Sequence, residues 1–275
     1  MTANNELVKV HEITRFRGFS NLFRKENRAW WRTRRWWINA ILWPVILCGL
    51  MVNILFVPSI VNLAPEAEVA DAGGVTAFLL EMALSVFFEF GLMVVAIGVV
   101  ILASDLIIGE KTDGTAEWLL SKPIARRSYI LAKLTANLIP MLVLVIGIPA
   151  VIAYGLLSLR SGTPYPWMDF LKGVGLLALH ACFYLTLTVL LGTIFNNRGP
   201  VLAIALGSAI GGGVLASIFK PLILIMPWAM PKLAPLTANG QPFPEEIGIL
   251  PVIATAIWCL VFTILAVAKF EKTEF

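Results

Sequence analysis

Residues 78–104 read FLLEMALSVFFEFGLMVVAIGVVILAS, a run broken by two charges, Glu81 and Glu89, and by no proline. The hydrocarbon core of a bilayer, ~30 Å thick, is crossed by ~20 apolar residues at a rise of ~1.5 Å each. This run is therefore long enough to cross as one helix. Similar runs lie before and after it, at about 36–60, 129–159, 170–195, 199–226 and 247–269. Across the chain 59% of residues are hydrophobic and 14% charged, with a mean hydropathy of +0.85, whereas soluble domains carry roughly 25% charged residues. Lipid is the solvent these proportions require. The predicted architecture is an all-α membrane protein, with an N-terminal segment over 1–35 and a six-span domain over 36–275. No stretch between the runs is long enough for a soluble domain, so any soluble catalytic machinery has to come from a partner.

Orientation follows from Lys and Arg beside the spans, which are retained in the cytoplasm. The N-terminal segment carries nine: Lys9, Arg15, Arg17, Arg24, Lys25, Arg28, Arg32, Arg34 and Arg35. With six spans, Lys111, Lys122, Arg126, Arg127, Lys133, Arg198, Lys269 and Lys272 fall on the same side, leaving Arg160, Lys172, Lys220 and Lys232 outside. Both termini are thus expected in the cytoplasm, with the chain in the cell membrane. The N-terminus is too long and too charged for a cleaved signal peptide. Outside connections are short and acidic or Pro-rich: Pro65 to Asp71, Gly162 to Pro166, and Pro227 to Glu246.

Ahead of the first span, at 100° per residue, Phe16, Phe19, Leu22, Phe23 and Trp30 share one arc, while Arg17, Arg24, Lys25, Arg28, Arg32 and Arg35 fall opposite. This predicts an amphipathic interfacial helix on the cytoplasmic leaflet, with Trp30 in the interface and Arg17, Arg24 and Arg28 at lipid phosphates. A basic tail that only sets topology is the simpler alternative. Pro44, Pro140 and Pro149 are expected to bend their spans. Gly207, Gly211 and Gly213 offer a small-residue face for close helix packing, within one copy or between two.

Between the second and third spans lies SDLIIGEKTDGTAEWLLSKPIARRS, residues 104–128. It holds four carboxylates (Asp105, Glu110, Asp113, Glu117), a Gly114-Thr115 break and the apolar trio Trp118, Leu119 and Leu120. Such a trio at a cytoplasmic surface suits a partner's pocket, with the charges setting register. Packing of the trio on the span ends is the alternative.

The pattern Gly-Glu-x-x-Asp-Gly-Thr-x-Glu-x-Leu-Leu-Ser-x-Pro-x-x-Arg, realised by Gly109 to Arg126, resembles the signature of ABC-2-type permeases, the membrane subunits of type-2 ATP-binding-cassette exporters. The resemblance extends over the basic "elbow" helix and six spans, essentially the whole chain. It implies that residues 110–120 include a coupling helix docked on a separate ATPase subunit, with Glu110 near that contact and Gly114 and Thr115 beside it. It also implies a homodimer, or a heterodimer with a homologous permease. ATP and Mg would sit on the ATPase subunit, because no GxxxxGK[ST] loop occurs here. This chain itself is then expected to be non-catalytic, to bind no cofactor and to engage no nucleic acid.

Glu81 and Glu89 share one face of the second span, either as carboxylates of a translocation path or, for Glu89, as a protonated interhelical hydrogen-bond partner. His180, with Tyr184 one turn on, reads as a packing residue rather than a proton relay. Cys48, Cys182 and Cys259 lie in apolar runs without metal spacing. A secondary transporter or channel without an ATPase is the rival class, weakened by the absence of an internal repeat. An intramembrane enzyme would need a nucleophile with its base, or a metal cluster, within the spans.

Overall fold

The computed structural model describes residues 16–57, 66–122 and 124–272, Leu120 by its backbone alone. Lys9, His11, Arg15, Pro65, Pro123, residues 58–60 of the first expected span and both chain ends lie outside them. The described residues are helical, with no strand. In lipid no water can satisfy a bare N–H or C=O, so each long apolar run closes its own hydrogen bonds as a helix.

A short helix α1, Phe19–Trp31, precedes the first apolar helix α2, Arg35–Phe56. After α3, Glu66–Asp71, the second run forms α4, Val75–Ala103, which continues through a turn into α5, Ile108–Thr112. Helix α6, Thr115–Leu120, completes this connection. The third run is α7, Arg126–Pro140, a π-helical stretch Met141–Gly147, and α8, Ile148–Ser161. Then come α9, Trp167–Ile194, and α10, Arg198–Ile218. The chain returns through α11, Leu222–Ile225, a 3-10 turn Pro227–Ala229 and α12, Met230–Ala238, before α13, Leu250–Glu271. Six of these helical stretches are long and apolar enough to cross a membrane, and they alternate in direction. We call the end of the bundle that carries α1 the near end.

The fifth run is where sequence and structure part. Helix was expected over 199–226 but stops at Ile218. Pro221 cannot donate to the ladder and disfavours helix at Lys220 before it, and Phe219 leaves the helical region at φ −114° and ψ 80°. The Pro-rich stretch from Pro227, expected as an outside connection, folds back as α12. Its Met230, Leu233, Ala234 and Ala238 are fully buried, at i, i+3, i+4 and i+8, the spacing of one helical face.

What α12 packs on is α9, the central helix, and α4. Closeness there depends on Gly173, where a Cβ would fall 2.8 Å from Ala238 Cβ and 2.9 Å from the Ala234 carbonyl oxygen. Buried residues make up 67% of the α9 membrane window but only 22% and 17% of those of α10 and α13, so these last two turn most of their apolar surface away from the protein. Of the small residues on α10, Gly207, Gly211 and Gly213 face open space, while Gly212 receives the Trp228 indole from the returning segment. In the third run Pro140 and Pro149 bracket the π-helical stretch, a wide-turn defect of the kind that re-aims the two halves of a helix.

Candidate functional site

The connection over residues 104–122 is built by two short helices hinged at Gly114, whose φ of 67° is left-handed and suits glycine. Helix α6 then presents two faces. Ala116 and Leu119 point inward, at 0% and 8% exposure, while Trp118 is 61% exposed. Asp113, Gly114 and Glu117 are exposed beside it, and the Lys122 ammonium lies 3.4 Å from the centre of the Trp118 ring. The apolar trio is therefore divided, with Leu119 in the core and Trp118 at the surface. An exposed indole covered on one side by a cation has the chemistry of an interface anchor.

Glu110 is placed differently from Trp118. Its Oε1 accepts from Lys25 Nζ at 2.7 Å, and its Oε2 accepts from the Tyr129 hydroxyl at 2.6 Å and lies 3.1 Å from Lys133 Nζ. Lys133 also donates to Glu26 at 3.2 Å. Two ammoniums and two carboxylates thus form a neutral group shared by α1, α5 and α7. The Glu110 and Lys133 side chains are only 18% and 4% exposed, so neither is free to meet a partner. Tyr129 stacks flat on Phe270 of α13, with centroids 4.7 Å apart. The resemblance placed Glu110 near the ATPase contact; what it touches in this chain is the scaffold behind the exposed turn.

Helix α1 also corrects an expectation. Leu22, Glu26 and Trp30, four residues apart, form its buried stripe, and that stripe faces α7 rather than lipid. Trp30, expected at the membrane surface, is 2% exposed and donates its indole N–H to Asn137 Oδ1 at 2.7 Å. Amphipathicity alone does not distinguish lipid from a polar-edged protein groove, and here Asn137 and Lys133 supply the polar edge. Arg24 and Arg28 remain exposed, whereas Arg17 is half-buried and its carbonyl accepts the Ala125 amide at 3.1 Å.

Toward the far end, Glu81 and Glu89 are both exposed on α4. Glu81 and Ser85 are shared by two clefts. One, of about 490 Å³, adds Glu68 and Asp71; the other, of about 180 Å³, adds Glu89, Lys232 and Gln241. His180 is buried with its ring edge-on to Tyr184 at 5.0 Å, and Cys48 donates its thiol to the Pro149 carbonyl at 3.3 Å. Among the described residues no group of three or more His, Cys, Asp or Glu could hold a metal.

Sequence reading missed Lys25, Glu26, Tyr129 and Lys133 as site residues. Lys133 offered a signal, since it falls inside the apolar run 129–159 where an unpaired ammonium is costly.

A family model described as ABC-2 family transporter protein matches residues 20–275. No curated protein matches the chain.

Proposed function

The chain belongs to the ABC-2 family of transporter proteins, and from that premise we propose that it is the permease subunit of an ATP-binding-cassette exporter. In this reading a separate ATPase subunit holds ATP and Mg, and α6 with the turn before it is the coupling helix that docks on it. The observation that carries the reading is Trp118, held 61% exposed beside Glu117 and Lys122 at the near end of the bundle. Asp113, Gly114, Thr115 and Glu117 shape the docking turn, Leu119 roots it in the core, and Glu110 braces it from behind. The near end faces the cytoplasm, as the basic residues require, and Arg24 and Arg28 meet lipid phosphates there.

Glu81 and Glu89 line the path. Exposed acids on a lipid-spanning helix call for protein or water, and a second permease copy, identical or homologous, facing α4 supplies both. The chain itself carries out no hydrolysis.

Pull-down of the ATPase subunit by the full-length permease tests the docking. Truncating a desolvated interface aromatic costs about 2 kcal/mol or more, so Trp118→Ala should weaken capture by about 30-fold while inserting at the parent's level. Capture equal to the parent's would reject α6 as the docking element.

A further inference from the structure

Beside Glu110 on the same short helix, Lys111 reaches the other way. The last helical amide bond of α9 runs from Phe195 N to Leu191 O at 2.9 Å, which leaves the carbonyls beyond it without helical donors. Lys111 Nζ lies 3.0 Å from Gly192 O, 3.1 Å from Thr193 O and 3.3 Å from Phe195 O. An ammonium has three protons and no acceptor, so these three carbonyls satisfy it, and the cation meets the negative end of the helix dipole. The seat is close: a Cβ at the buried Gly192 would already touch Ile107 Cβ at 3.4 Å.

A second cation makes the reciprocal bond. Arg198, the first residue of α10, donates from Nε to Ser104 Oγ at 2.8 Å and from its terminal nitrogen to Ile101 O at 3.3 Å, at the end of α4. The α4–α5 junction thus sends Lys111 to the end of α9, and the α9–α10 junction sends Arg198 back to the end of α4. Glu110 and Lys111, in one helical turn, are tied on one side to α1 and α7 and on the other to the end of α9, while Arg198 ties α10 to the end of α4.

We propose that Lys111 is a positioning residue that passes displacement of the docking turn into α9 and α10, with Arg198 holding the two junctions in register. The proposal rests on the permease reading above. Its physical basis is that hydrogen bonds from a cation to three fixed carbonyls resist both separation and sliding, so the joined ends move together.

The test uses the full chain with its ATPase subunit in lipid nanodiscs, with Cys48, Cys182 and Cys259 replaced by alanine and one cysteine placed at Ser217. Ser217 is exposed near the far end of α10, remote from both cations. The rate of labelling by a membrane-impermeant maleimide is measured without nucleotide and after trapping with Mg-ATP and vanadate. In the parent, trapping should change the rate by about fivefold or more, the range of a coupled site. In Lys111→Met the change should vanish while ATPase capture and ATP turnover persist, which a merely stabilising residue would not produce. Lys111→Arg, which keeps the charge, should restore most of it, and Arg198→Met should lose it as Lys111→Met does.

A full trapping response in Lys111→Met and Arg198→Met overturns the proposal and leaves the permease reading intact. If Lys111→Met does not accumulate, Arg198→Met and Lys111→Arg decide the matter by the same measurement. A parent that neither captures the ATPase nor responds to nucleotide removes the permease reading, and this inference with it.

Discussion

The two ends of the bundle are held together by different physics. At the near end, beside the Trp30–Asn137 bond and the Tyr129–Phe270 stack, ionic ties cross between elements distant in sequence: Glu26, Lys25, Glu110 and Lys133 join three helices, and Arg127 pairs with Glu271 of α13, whose carbonyl also accepts from Arg126 at 2.8 Å. In the far half the ties are shape and indoles. Trp228 fills the space left at Gly212 and donates to Ser208 O at 3.0 Å, Trp258 donates to Ile225 O at 2.8 Å, and Gly173 lets α12 settle on α9. Among the described residues the far-half ion pair, Lys172–Asp169, is a partly exposed one within a single helix. Charge networks fix partner and distance, whereas close-packed apolar surfaces respond mainly to volume. The near end is therefore built to hold a fixed arrangement, and the far half to fit.

The difference can be broken most forcefully at Glu110. Removing one partner of a buried ionic group costs about 3–5 kcal/mol, so Glu110→Gln should markedly lower the thermal midpoint of the detergent-solubilised chain. Adding Lys133→Met should recover more than half of that loss. A Glu110→Gln chain as stable as the parent would mean that the network contributes nothing to holding the near end.

In the far half, Gly173→Ala should cost about 1–3 kcal/mol by overpacking, because its new methyl meets Ala238, Phe88 and the Ala234 carbonyl within 3 Å. Here the sharpening measurement is ionic strength: the loss should be the same at low and high salt. A salt-dependent loss would contradict the division drawn between the ends.

Smallest of all, Arg127→Ala should lower the thermal midpoint only slightly, since the Arg127 and Glu271 side chains are 41% and 34% exposed and solvent screens the pair. That loss should fade toward about 1 M salt, where screening acts over roughly 3 Å. A loss as large as that of Glu110→Gln would show that exposure is a poor guide to which near-end ties matter.

Much of this fold was legible in the chain because lipid demands long apolar runs, and those runs are visible residue by residue. The ends of α2, α4 and α9, and of the stretch from α7 through α8, lie close to where hydropathy places them. Hydropathy could not separate α10 from the residues after it, since Leu222–Ile225 is as apolar as any span and only Lys220-Pro221 marks the break. Nor could it show that α12 is buried, because five prolines between Pro227 and Glu246 read as an irregular connection although Pro at a helix start is favourable.

At the candidate site the segment was legible but its internal division was not. Trp118, Leu119 and Leu120 are adjacent, yet on a helix neighbours diverge by 100°, and the structure sends Trp118 to the surface and Leu119 to the core. Lys111, Lys133 and Arg198 were read only for topology. Each is also satisfied by a specific acceptor set that depends on helices 80 or more residues apart being side by side, which no local pattern encodes.

The pairing of α1 with α7 also has a consequence for synthesis. Trp30 and Asn137, like Glu26 and Lys133, are separated by 107 residues, so the buried stripe of α1 has no protein partner when it leaves the ribosome. At about 5–20 residues per second the wait is about 5–20 s. An amphipathic helix rests meanwhile at the lipid surface, where its hydrophobic face is covered. The stripe that carries Trp30 then changes its cover once the third membrane helix is inserted and offers Lys133 and Asn137 in place of lipid, while Arg24 and Arg28 on the opposite face stay exposed.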